Sequence, residues 1–68
     1  MGLLTYQALL SNPDKIRRIQ AARREIERAG GRVEIGAPNR VGMVLVLLQL
    51  PATLTPEQVL PGIPFYPA

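Results

Sequence analysis

Neither cysteine nor histidine occurs in this 68-residue chain. The first absence excludes disulfides, and the two together exclude the usual zinc sites. They also remove the commonest strong nucleophile and the commonest general base of enzyme chemistry. Acids are sparse as well. Asp14, Glu25, Glu27, Glu34 and Glu57 are scattered and lack the close carboxylate spacing of a calcium loop. Gly30-Gly31 is no phosphate-binding loop, because such loops open a helix and this pair closes one. The hydroxyl and phenol groups of Thr5, Tyr6, Ser11, Thr53, Thr55 and Tyr66 fall at capping or packing positions, and Lys15 is the single lysine. The expectation is a protein that is not an enzyme, with no cofactor, no metal and no small-molecule substrate.

Long apolar runs are missing too. The longest, residues 43–50 (Met-Val-Leu-Val-Leu-Leu-Gln-Leu), is about half the ~20 residues a membrane-crossing helix needs. The first residues, Met-Gly-Leu-Leu-Thr-Tyr, lack the basic stretch that opens a secretory signal. A soluble, cytoplasmic protein is expected. One domain spanning 1–68 is expected, with a folded body over 1–60 and an extended tail over 61–68. A chain this short buries only about 60% of its unfolded surface and is marginal without a staple. With disulfide and metal excluded, association with a copy of itself or with another protein remains.

The clearest element is a helix. Ser11-Asn12-Pro13-Asp14 supplies a cap, a proline suited to the first helical position and an acid for the positive end of the helix dipole. Gly30-Gly31 supplies the stop. Between them, over 13–29, Ile19, Ala22, Ile26 and Ala29 share one side, with Ile16 at its edge, so this stripe faces the core. Residues 5–10 read two ways. Leu4, Tyr6, Ala8 and Leu10 alternate as a strand would, yet Thr5 could cap a short helix that Gln-Ala-Leu-Leu favours. The second reading is preferred.

A hairpin follows, with strands over about 32–36 and 42–50. Val33 and Ile35 alternate with Arg32 and Glu34, Gly36-Ala37-Pro38-Asn39-Arg40 is turn chemistry, and Pro51 ends the second strand. Thr55-Pro56-Glu57-Gln58 has the pattern of one capped helical turn. Five of the seven prolines lie from Pro51 onward, so 61–68 should be extended and stiff. The expected fold class is α+β: one long amphipathic helix packed on a two-stranded antiparallel hairpin. Two strands are weak alone, which predicts a sheet extended by dimerisation.

The second hairpin strand is greasy on both sides. Val44, Val46, Leu48 and Leu50 form one face; Met43, Leu45, Leu47 and Gln49 form the other. The helix can cover only one. Either the tail folds back to place Ile63, Phe65 and Tyr66 on the other, or a second protein covers it. The candidate partner or dimer interface is therefore Met43, Leu45, Leu47, Phe65 and Tyr66.

The helix carries six basic and three acidic residues, which equals the chain's net charge of +3. Arg17, Arg24 and Arg28 lie opposite the core stripe, with Arg18 and Arg23 on its flanks. The plain reading is a solvated face with pairs Asp14–Arg18, Arg23–Glu27 and Arg24–Glu27. The functional reading is an anion or nucleic-acid contact through Arg17, Arg24 and Arg28, since arginine forks suit phosphate. No aromatic side chains interleave with these arginines, so stacking platforms for single strands are missing. The leading expectation is a small self-associating interaction or structural module, an accessory subunit of a larger assembly; the alternative is a small nucleic-acid-binding regulator.

Overall fold

The computed structural model describes residues 2–68. Its elements run β1 (Leu3–Leu10), α1 (Pro13–Arg28), β2 (Arg32–Ile35), β3 (Val44–Pro51), α2 (Pro56–Val59) and β4 (Tyr66–Pro67). The strands form one antiparallel sheet in the order β2-β3-β1-β4. The class is α+β, with a helix on one face of the sheet. The connectivity is a split β-α-β arrangement, ferredoxin-like in strand order, with α2 reduced to one turn. Folds of this kind host many unrelated functions, so the topology assigns none.

Both ends of α1 are closed by local chemistry. The Asn12 side-chain oxygen accepts from the N–H groups of Asp14 (2.8 Å) and Lys15 (3.4 Å), and Pro13 occupies the first turn, where its missing N–H costs nothing. At the other end the Gly30 N–H donates to Glu27 O (3.0 Å) and the Gly31 N–H to Ile26 O (2.9 Å), with Gly30 at φ +91°. These two bonds make a Schellman cap, and its left-handed residue is where glycine is favoured. Gly31 is buried against β3. A Cβ there would stand 2.5 Å from the Gln49 carbonyl oxygen, so only glycine lets the helix end approach the strand this closely.

The segment read as a short helix over 5–10 is instead a strand. β1 pairs with β3 along its whole length, from Leu3 opposite Pro51 to Leu10 opposite Val44. The local helix preference of Gln-Ala-Leu-Leu is overridden because Ala8 and Leu10 reach the core only in the alternating geometry. The expected two-stranded sheet is likewise corrected: β1 and β4 bring it to four strands within one chain, so dimerisation is not needed to complete it. The hairpin itself is present, with Val33 opposite Leu48 and Ile35 opposite Val46.

The core lies between α1 and one sheet face. Ile19 and Ile26 pack with Ala8, Leu10, Val33, Val44, Val46, Leu48 and Leu50. The tail closes this same side. Leu60 and Ile63 are buried and Phe65 packs against the cluster, while Tyr66–Pro67 forms the edge strand β4. Placement of Ile63 and Phe65 on the far face is thus corrected. The turn before them is set by a capping box, in which Thr55 Oγ1 accepts from the Gln58 N–H (3.3 Å) and Gln58 Oε1 from the Thr55 N–H (2.8 Å). No helix among the described residues is long and apolar enough to cross a membrane.

Candidate functional site: the open sheet face

Because side chains alternate along a strand, the residues left out of the core all project from the opposite face. Strand register arranges them in four rows. Leu3 lies beside Pro51; Thr5 beside Gln49 and Arg32; Tyr66 beside Gln7, Leu47 and Glu34; and Leu9 beside Leu45. No helix among the described residues covers this surface. Leu3 is 40% exposed, Leu9 53%, Leu45 43% and Tyr66 64%, and Leu47 is half-buried only by its neighbours.

Of the interface residues expected from sequence, Leu45, Leu47 and Tyr66 come together here. Met43 stands half-buried just ahead of β3, where its N–H donates to the Asn39 side-chain oxygen (2.9 Å). Phe65 is turned to the core instead. Leu3 and Leu9 join this face unexpectedly, because Leu9 belongs to the segment read as helix and Leu3 to no expected element. Their alternation with Leu4, Tyr6, Ala8 and Leu10 was the signal that could have placed them.

Two shallow depressions mark the face. One of about 350 Å³ is lined by Gln7, Ala8, Leu9, Leu45, Pro64 and Tyr66. A smaller one of about 70 Å³ lies among Thr5, Arg32, Glu34, Leu47 and Gln49. Apart from Arg32 and Glu34 on the edge strand, the face carries no charge.

The arginines of α1 divide by role. Arg18 donates to the Pro61 carbonyl oxygen (2.7 Å) and Arg23 to that of Val33 (3.1 Å), so these two tie the helix to the C-terminal loop and to β2. That use removes them from the expected pairs Asp14–Arg18 and Arg23–Glu27. The ion pairs present are Arg17–Asp14 (3.5 Å) and Arg28–Glu25 (3.3 Å), one helical turn apart and largely solvated. Arg24 is exposed and takes part in no ion pair among the described residues, so the expected Arg24–Glu27 pair is also absent. Exposed pairs of this type contribute only a few tenths of a kcal/mol, about 0.3–0.5 for neighbours on a helix. Arg17, Arg24 and Arg28 share the solvent side of α1, but acids sit among them. No group of three or more acidic or metal-ligating side chains could hold a metal among the described residues.

Compared with known proteins, the chain matches no family model, no curated protein and no solved structure.

Proposed function

We propose that this chain is a small non-catalytic interaction or structural module that associates with copies of itself through the open sheet face. On this reading it acts as an accessory subunit of a larger assembly. A place in the cytoplasm belongs to the proposal, on the cysteine-free composition that a reducing compartment permits. One observation carries the reading: Leu9, Leu45, Leu47 and Tyr66 are neighbours, with Leu3 beyond the polar row of Thr5, Gln49 and Arg32, on a face that the only long helix among the described residues does not reach. Covering each half-exposed leucine would contribute about 1 kcal/mol, and contiguous apolar patches of this sort mark contact surfaces.

Light scattering coupled to size-exclusion chromatography tests it. The expected mass rises from monomer to dimer as concentration increases through the micromolar range. A monomer at every concentration would remove self-association from the account.

The rival reading, a nucleic-acid-binding regulator using Arg17, Arg24 and Arg28, draws on the concentration of the net charge in α1. Against it stand the pairing of Arg17 and Arg28 with acids and the lack of interleaved aromatics. It requires binding that falls steeply with salt and with glutamine at these three positions.

A further inference from the structure

We infer that the partner on the open face is a second copy of this chain, stacked sheet on sheet about a two-fold axis that runs across the strands. In this arrangement Arg32 of each copy lies against Glu34 of the other. The inference rests on the reading of the open face as the surface of self-association and adds to it the axis and the pairs that fix the register.

The electrostatics choose a copy over an acidic partner. Helix α1 accounts for the whole net charge of +3, leaving Arg32 and Arg40 balanced by Glu34 and Glu57. The open face itself holds one positive and one negative residue. An acidic protein or a nucleic acid gains nothing from it. Two copies meeting through it keep their basic helices on the outer sides of the pair, where repulsion is weakest.

The four rows then select the axis. A closed pair of identical chains is isologous, so the face must complement itself. An axis between the second and third rows exchanges those two rows and also exchanges the first with the fourth. Arg32 then meets Glu34, Gln49 meets Leu47 and Thr5 meets Gln7. Leu3 meets Leu9, and Pro51 meets Leu45. Each exposed leucine of the open face is covered by an apolar neighbour, and Leu3 comes over the depression lined by Leu9, Leu45 and Tyr66. Arg32 and Glu34 have no ion-pair partner in their own chain among the described residues, so both are available.

Other axes fail on the same two residues. An axis centred on the third row sets Glu34 against Glu34. An axis along the strands lays β2 over β4, with the Glu34 carboxylate against the negative face of the Tyr66 ring and Arg32 without an acid. The aligned stacking of sheets, offset by about 30°, is compatible with the first arrangement because both charged side chains are long.

Charge reversal tests the geometry. Arg32→Glu and Glu34→Arg are prepared separately, both exposed positions, with folding checked by circular dichroism and dimer affinity measured by sedimentation equilibrium. Each single variant is expected to weaken its own dimer at least about tenfold, because two attractive pairs become two repulsive ones. Mixing the two variants should restore wild-type affinity as a heterodimer, and the double reversal Arg32→Glu/Glu34→Arg should restore it in a single chain. Wild-type self-association that ignores the single reversals, or is not recovered in the mixture or the double variant, overturns this geometry while the open face remains the contact surface. A wild-type chain that stays monomeric overturns both.

Discussion

The two faces of the sheet are built from the same strands, yet they end in different states. On the helix side Val44, Val46, Leu48 and Leu50 are buried; their immediate neighbours Leu45 and Leu47 project the other way and are not. The difference is one of supply. Among the described residues the one long helix and the C-terminal segment lie on the same side: Ile19 and Ile26 from α1, Leu60 and Ile63 from that segment. A small chain that concentrates its covering elements in this way gains one packed core and leaves the far face open. If the proposed function holds, stability and association reside on opposite sides of a single sheet, and substitutions on the two sides should separate them.

The largest effect is expected from removing residues 61–68. That deletion strips Ile63 and Phe65 from the core and β4 from the sheet edge, so cooperative thermal melting should be lost. A melting curve unchanged by the deletion would mean that the helix side closes without its tail. Next comes Leu48→Ala, a truncation in the fully buried row, which should cost about 3 kcal/mol in denaturant unfolding. Gly31→Ala should cost about 2 kcal/mol, because the added methyl group collides with the Gln49 carbonyl oxygen and forces α1 away from β3. Leu45→Glu is the counterpart on the open face. Its unfolding free energy should move by no more than about 0.5 kcal/mol while self-association disappears. The smallest contrast lies within the helix: Arg23→Met should cost about 1 kcal/mol by leaving the Val33 carbonyl without its donor, whereas Arg24→Met should be neutral in the same assay.

How much of this could be read from the chain depends on how local each signal is. Helix α1 was legible almost to the residue because Asn12, Pro13, Asp14 and Gly30-Gly31 act within their own turns. The capped turn at Thr55 was legible for the same reason. So was the division of β3 into Val44, Val46, Leu48 and Leu50 on one face and Leu45 and Leu47 on the other, since alternation needs no partner. Strand β1 was not. Residues 5–10 satisfy both periodicities, and the choice is made by β3, some forty residues later, whose second edge they fill. Strand β4 was hidden by its prolines, which read as an extended tail although Tyr66 still pairs with Gln7.

The candidate site was half legible in consequence. Leu45, Leu47 and Tyr66 were found from the apolar excess of their segments, while Leu3 and Leu9 could be found only once β1 was a strand. Phe65 was misplaced because composition does not say which face a tail will choose. The arginines teach a similar lesson. Arg18 and Arg23 looked like members of intrahelical ion pairs, but carbonyl oxygens of the C-terminal loop and β2 lie within reach of their guanidinium groups. A fixed main-chain acceptor at a packed junction holds such a group better than a solvated carboxylate does.

Methyl NMR on dilution tests the division between the two faces most directly. The account predicts that the methyl resonances of Leu3, Leu9, Leu45 and Leu47 shift with protein concentration, following one association constant, while those of Leu48, Leu50 and Ile26 stay fixed. Shifts confined to the helix side, or methyl spectra that do not change with concentration, would contradict it.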